Sequence, residues 1–297
     1  MSANNNFQLL SGKPVAQAVL EQVRSQVTQI EGRPPCVVFI RVGNDPASVS
    51  YVKQKQEKAS FVGIKSILKV FEAEAINETM LLAEIQKLNE DTSVDGILVQ
   101  APLPKTMDFV KIASAIKPEK DVDGFGIVNC GRLQQNLPCI VPCTPAGIIE
   151  ILKFYNISTA GKHVVIVNRS MIVGKPLATL LLQNTPQGNA TVTICHSHTK
   201  DLLAITREAD ILVLACGKPA FFDKTFVKEG AIVIDVGISR VPANNERGYV
   251  LQGDANSKSL EDHVAGYTPV PGGVGPMTVA MLMKNTLDCY KLCHLKF

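Results

Sequence analysis

The chain has no apolar run long enough to span a bilayer, and its N-terminus, MSANNNFQLLSGKPV, carries neither a charged leader nor an apolar segment behind it. A cytoplasmic protein is therefore expected. A basic face or tail is also missing: 30 lysines and arginines, scattered along the chain, stand against 27 acids for a formal charge of +3. That balance argues against nucleic acid as a partner and suits an anionic small molecule. The eight cysteines have no histidine-rich companion segment. Cys139/Cys143 and Cys289/Cys293 are spaced by four, and Cys36, Cys195 and Cys216 lie in strand-like apolar runs, so reduced structural thiols are expected and no metal site. Internal repeats and low-complexity segments are absent too.

What is present suffices for two ordinary cores, since 46% of the 297 residues are hydrophobic. Val15, Val19, Val23, Val27 and Ile30 recur every three or four positions, which predicts a helix over 13–30 closed by Pro34 and Pro35. CVVFIRVG then reads as a buried strand, DPASVSYVKQKQEKASFVG as a helix capped by Asp45 with Pro46 in its first turn, and IKSILKVF as a second strand. A helix over 77–89, the strand VDGILVQ stopped by Pro102 and Pro104, and a helix around 109–116 follow. Such alternation implies a parallel sheet with helices on both faces.

A new helix is predicted at CTPAGIIEILKFYN, with Thr144 as cap. Beyond it the strand-like runs KHVVIVN, TVTIC, ILVLAC and AIVIDVG are separated by helical stretches over 172–184, 200–209 and 223–228, a second α/β unit of nucleotide-binding size. The last helix, from Met277 to about Lys291, has no sheet of its own after it and is expected to return to the first domain. The expected division is 1–143 plus 272–297 for an α/β catalytic domain with a parallel sheet, and 144–271 for a Rossmann-like NAD(P)-binding domain.

Three places carry candidate chemistry. Tyr51 and Lys55 project from one helix face a turn apart, although the same helix reads equally as an ordinary solvated one with Lys53, Glu57 and Lys58 in water. Gln100 closes a strand at the end where open α/β sheets bind ligands, and Asp121 and Asp123 follow in a turn, where Asp123 is either a ligand for a heterocycle or a turn-former beside Gly124. The uncharged run YTPVPGGVGPMT, residues 267–278, is built to act through its backbone, because glycine allows close approach and proline fixes the path, unless it is a plain rigid connector.

The segments SYVKQK, DGILVQAPLP, KDVDGFG, VNRSMIVGKP, GAIVIDVGI and TPVPGGVGPMTVAMLMKNT resemble, in order and spacing, the bifunctional methylenetetrahydrofolate dehydrogenase/cyclohydrolase family, essentially from end to end. The resemblance implies a two-domain enzyme of one-carbon metabolism that oxidises 5,10-methylenetetrahydrofolate and hydrolyses the methenyl product to 10-formyltetrahydrofolate, commonly as a homodimer, on a polyglutamylated folate. It further implies that Lys55 is the catalytic lysine, Tyr51 a folate-stacking ring, Gln100 the group that holds the lysine and Asp123 the pterin anchor, with Val99 and the loop Pro271, Gly272, Gly273, Val274 and Gly275 lining the folate. In that reading the three loop glycines give clearance to the ligand. On the cofactor side it implies Asn168, Arg169, Ser170, Gly174, Ser197, Ile238 and Thr278.

The fingerprint G-x-G-x-x-G is missing from the second domain, and Asn168 stands where the family commonly has glycine, so a left-handed Asn168 is expected to keep the turn. TVTICHSHT ends in His196, Ser197 and His198 with none of the acid that binds an NAD ribose, while Arg169 is suited to a 2′-phosphate, so NADP is the expected cofactor. Ala101 replaces the usual leucine after the glutamine, and the chain is one residue shorter before Thr268. A dehydrogenase without the hydrolase step should have lost Lys55 or Gln100, and a non-catalytic folate or nucleotide sensor should have changed Lys55 or Asp123.

Overall fold

A computed structural model describes residues 7–294. The elements run β1 (Gln8–Leu9), α1 (Gly12–Thr28), β2 (Cys36–Val42), α2 (Pro46–Phe61), β3 (Lys65–Phe71), α3 (Glu78–Glu90), β4 (Gly96–Gln100), α4 (Phe109–Ser114), α5 (Ile127–Gln134) and α6 (Cys143–Phe154). They continue with β5 (His163–Val167), α7 (Gly174–Leu182), β6 (Thr191–Cys195), α8 (Leu202–Thr206), β7 (Ile211–Leu214) and β8 (Ile232–Asp235). The last are β9 (Ser239–Pro242), β10 (Tyr249–Gln252), α9 (Ser257–Leu260), β11 (Gly266–Tyr267) and α10 (Val274–His294).

The chain divides into two compact units: Gln17–Cys143 with residues from Val279 onward, and Thr144–Thr278 with residues up to Ala16. This differs from the expected division in two places. Residues up to Ala16 join the second unit because β1 pairs in parallel with β11, an edge pairing of two residues that leaves no hydrophobic period to read. Residues 272–278 also stay with that unit, so the crossing falls inside α10 rather than before it.

In the unit of Gln17–Cys143 the sheet has the order β3-β2-β4, all parallel, and every residue of the central strand β2 is buried. Val38, Ile40, Ile97 and Val99 pack on Leu81, Ile85 and Leu88 of α3 and Ile112 of α4, covering one face. Gly96 lies on the other, where an added Cβ would crowd Val122 and approach Thr286 of α10. Helix starts follow the sequence signals: Asp45, Asn77 and Asp108 accept from Ser48, Met80 and Val110 N–H groups respectively. Helix α10 returns to this unit as expected, and its buried Asn285 donates from Nδ2 to the carbonyls of Val122 and Val141, each at 2.9 Å.

The second unit carries a six-stranded sheet of order β1-β11-β8-β7-β5-β6, with parallel pairing throughout. After β6 the chain crosses to β7 on the opposite side of β5, which creates a topological switch point between β5 and β7. Val165, Val167, Leu212, Leu214 and Val233 form one buried face with Phe222 and Leu260.

Several predicted helices are shorter in the structure. The stretch 223–228 is one 3-10 turn, Lys224–Phe226, because Asp223 caps it through the Thr225 N–H and the chain then extends to bury Val227. The stretch 200–209 shrinks to α8, and 172–184 to α7. Conversely α10 begins at Val274, three residues before the expected Met277, since Pro276 in a first turn forfeits no helical hydrogen bond. The hairpin of β9 and β10 and the helix α5 had no sequence signal strong enough to predict them. Cys216 lies beyond the end of β7 and is exposed, not in a strand; all eight cysteines are free.

Replacing Asn285 by alanine leaves two carbonyls without their donor and should lower stability by about 2 kcal/mol, measured by urea unfolding at neutral pH.

Candidate active site

The first turn of α2 is fixed by Asp45 and by Ser48, whose hydroxyl donates to the Ala101 carbonyl at 3.3 Å, just past the end of β4. Two turns further along, Lys55 Nζ donates to Gln100 Oε1 at 2.9 Å. The Gln100 amide is itself oriented, since its Nε2 donates to the Ala101 carbonyl at 2.6 Å, turning the oxygen toward the amine. Tyr51 lies one turn before Lys55 with 44% of its surface exposed, a large ring left open to a flat partner. Val99 does not share this surface: its side chain packs in the core with Ile40 and Val42, so only its backbone is available to a ligand.

The turn between α4 and α5 separates two carboxylates that the sequence could not tell apart. Asp121 is buried and accepts from the Gly124 N–H at 3.0 Å, the Gly126 N–H at 2.8 Å and Asn129 Nδ2 at 3.1 Å. It makes the turn. Among the described residues, Asp123 has a single hydrogen-bonding contact, the Cys143 thiol at 4.0 Å, and is half-buried. Its carboxylate is therefore spare. Burial pushes the Asp123 carboxyl up to about 6; the nearby Lys55 ammonium pulls it down and the Asp121 charge adds to the rise. Because the fold holds this proton above the ordinary value of 3.8, ionising Asp123 makes the folded state less stable as pH rises from 3.8 to about 6. Burial likewise holds the Cys143 thiol well above its ordinary range, which keeps it a hydrogen donor.

In the second unit the turn after β5 is organised by Asn168. Its Oδ1 accepts from the Ser170 N–H at 2.8 Å, the Ser170 hydroxyl at 2.6 Å and the Gly174 N–H at 3.0 Å, while Nδ2 donates to the Ala215 carbonyl at 2.5 Å. The backbone of Asn168 is not left-handed, contrary to expectation. Asparagine is tolerated there because its side chain caps the turn, not because its φ imitates glycine. Gly174 has no room for a side chain, since a Cβ would collide with the Asn168 carbonyl. Arg169 is exposed, as is Ser197 after β6, and the register pairs Val167 with Cys195, so the two strands end side by side. Ile238, just past β8, is 48% exposed.

The loop 271–275 also differs in its reasons. Gly272 has φ +108°, a conformation suited to glycine, and Gly273 is buried against Thr268 and Pro269 of its own chain. Of the three, only Gly275 has open space where a Cβ would stand. Val274 is buried and Pro271 exposed, and the Thr278 hydroxyl lies 3.3 Å from that of Thr144. Sequence reasoning missed Asp235 and Asp254, both buried, whose only trace was a glycine beside each, in DVG and GDA. Among the described residues no cluster of His, Cys, Asp and Glu is arranged to hold a metal ion.

A model of the tetrahydrofolate dehydrogenase/cyclohydrolase catalytic domain matches residues 10–123, and one of the NAD(P)-binding domain of the same family matches residues 142–294. The bifunctional protein FolD of Chlamydia pneumoniae is 47% identical over 284 residues, covering 95% of this chain and 99% of its own. Among solved structures, the bifunctional FolD methylenetetrahydrofolate dehydrogenase/cyclohydrolase of Campylobacter jejuni superposes with a TM-score of 0.90 at 42% identity, covering 96% of this chain and 99% of that one. The methylenetetrahydrofolate dehydrogenase-cyclohydrolase of Trypanosoma brucei, solved with NADP and an inhibitor, has a TM-score of 0.90 at 37% identity, covering 98% and 99%.

The Asp123 carboxyl carbon, followed by NMR, should titrate with a midpoint about 6, and Lys55→Met should move that midpoint upward because the ammonium that favours the ionised form is gone.

Proposed function

The chain belongs to the tetrahydrofolate dehydrogenase/cyclohydrolase family, and from that premise we propose that it oxidises 5,10-methylenetetrahydrofolate with NADP and hydrolyses the methenyl product to 10-formyltetrahydrofolate, a one-carbon donor of the kind purine synthesis consumes. The observation that carries the second activity is the Lys55–Gln100 hydrogen bond, which presents an amine at the C-terminal edge of the sheet without pairing it to a carboxylate. A dehydrogenase lacking the hydrolase step would have no use for it.

Hydrolysis requires water to lose a proton as it attacks the methenyl carbon and a ring nitrogen to gain one as the bond to it breaks. One amine can serve both transfers, and Lys55 is the amine that Gln100 orients. Asp123, relieved of turn-making by Asp121, is free to accept hydrogen bonds from the pterin amino and ring N–H groups, and Tyr51 offers its exposed face to the aromatic part of the folate. Binding that supplies N–H donors to Asp123 should draw its pKa back down, so folate affinity should weaken as pH falls below about 6.

The residues fit NADP. The end of β6 carries no acid, and Arg169 beside it is exposed and makes no ion pair among the described residues, as a 2′-phosphate requires. Ile238 leaves an apolar side chain bare beyond β8, suited to a nicotinamide ring, and Ser170, Ser197 and Thr278 supply hydroxyls. When bound, NADP supplies the hydride acceptor; the chain's part in that step is orientation.

We also infer a cytoplasmic homodimer acting on polyglutamylated folate. The support for the dimer is the edge strand β6 with Ile194, Leu182 and Leu203 exposed in its unit. Sedimentation velocity tests the dimer.

An absorbance assay of methenyl formation should show much better kcat/KM with NADP than NAD, and Arg169→Ala should raise KM for NADP while barely moving that for NAD. Lys55→Met should slow methenyltetrahydrofolate hydrolysis by about 100-fold or more while the hydride step suffers less, so that methenyl intermediate accumulates. Hydrolysis at the wild-type rate in that variant would remove Lys55 from the mechanism. Asp123→Ala should depress both activities through folate affinity, read by titration calorimetry.

A further inference from the structure

In the second unit, Asp235 and Asp254 are 3% and 0% exposed, yet among the described residues neither forms an ion pair with a cation. Between them they accept six backbone N–H groups. Asp235 Oδ1 accepts from Gly237 and Asp254, both at 3.0 Å, and its Oδ2 from Ala255 at 2.8 Å. Asp254 Oδ2 accepts from Cys216 at 2.6 Å and Gly217 at 3.1 Å, and its Oδ1 from Lys218 at 2.6 Å. Both oxygens of each group act as acceptors, which a carboxylate can do and an amide cannot.

The cost of this arrangement is visible in two ways. Burial raises the Asp235 carboxyl to about 7, against the opposing pull of the Ala255 and Asp254 N–H groups and with the Asp254 charge adding to the rise. Glycine is also required at two points, because a Cβ on Gly237 would collide with the Asp254 carboxylate and one on Gly253 with that of Asp235. Two buried carboxylates close to one another would be a poor choice for stability alone.

Their location gives a reason. Four of these N–H groups, of Cys216, Gly217, Lys218 and Gly237, belong to the segments that follow β7 and β8, at the C-terminal edge of the sheet and on the side of the switch point away from β6, and the other two, of Asp254 and Ala255, follow β10. In a sheet of this topology the adenosine ribose is read at the end of the strand corresponding to β6, so the nicotinamide end is received by the segments after β7 and β8. The Asn168 bond to the Ala215 carbonyl joins the phosphate turn to the same network.

Resting on the functional reading above, we propose that Asp235 and Asp254 are positioning residues for the dehydrogenase step, holding the backbone at 216–218 and 237–238 where the nicotinamide of NADP is received. They touch neither substrate nor cofactor. Their removal should therefore misplace the ring more than it weakens binding, and should spare hydrolysis, which uses the other unit and no nicotinamide.

The test is Asp254→Asn and Asp235→Asn in the full chain. The kcat for NADP reduction at saturating cofactor should fall about 100-fold, the NADP Kd by calorimetry should rise less than about ten-fold, and methenyltetrahydrofolate hydrolysis should stay within about two-fold of wild type. In case an amide at either buried position prevents folding, Gly253→Ala displaces the Asp235 carboxylate without removing it and should give the same split. A dehydrogenase kcat within about three-fold of wild type in the folded variants, or equal loss of both activities, overturns the proposal. A wild-type protein that hydrolyses methenyltetrahydrofolate but reduces no NADP overturns the dehydrogenase reading and this proposal with it.

Discussion

Parallel strands end in loops whose N–H groups no neighbouring strand accepts, and the chain must satisfy them without sealing off the edge where ligands bind. In each unit the solution is a short acceptor side chain buried just behind the loop. Asp121, bridged to β4 through Ile97, gathers the turn before α5, Asn168 the turn after β5, and Asp235 with Asp254 the segments after β7, β8 and β10. The side chains left over at these loops are Asp123, Arg169, Ser197 and Ile238, the ones proposed to meet ligands. Every proposed contact with folate or cofactor in these loops depends on that prior satisfaction.

The same constraint explains why two similar aspartates in KDVDGFG have different fates. Asp121 aligns with Ile97 at the edge of the sheet, close enough to face inward onto Gly124 and Gly126, whereas Asp123 falls two residues later with no N–H in range. An acid without internal donors in a desolvating position is held toward its neutral form, and Lys55 is the one cation that opposes this.

Much of this was legible in the sequence. The strands CVVFIRVG and VDGILVQ and the Asp45 and Pro46 start of α2 follow from period and capping chemistry, both local signals, while Tyr51, Lys55, Gln100 and Asp123 stood out as a set only through the family resemblance. The rest was set by distant partners. β1 and β11 are too short to show alternation and exist because each lies along another strand. Val99 looked like a pocket residue from its neighbour Gln100, but side chains alternate along a strand and its own points into the core. Asn168 read as a substitute for glycine because φ is the usual reason for glycine in a turn, whereas its four side-chain hydrogen bonds are a tertiary arrangement involving Ala215, far along the chain. Gly273 read as ligand clearance, but the space it vacates is filled by its own loop.

Helix α10 begins in one unit and finishes in the other, and all other described elements precede it in the chain. Ribosomal synthesis is vectorial, so the unit that bears Lys55, Gln100 and Asp123 emerges long before the segment that closes it. Until Asn285 appears, the carbonyls of Val122 and Val141 lack their donor and the face of the sheet around Gly96 lacks its cover. The three-stranded half of the molecule is therefore completed last even though most of it is made first, and a nascent chain cannot acquire a finished turn at Val122 and Asp123 before the residues of its other half have been translated.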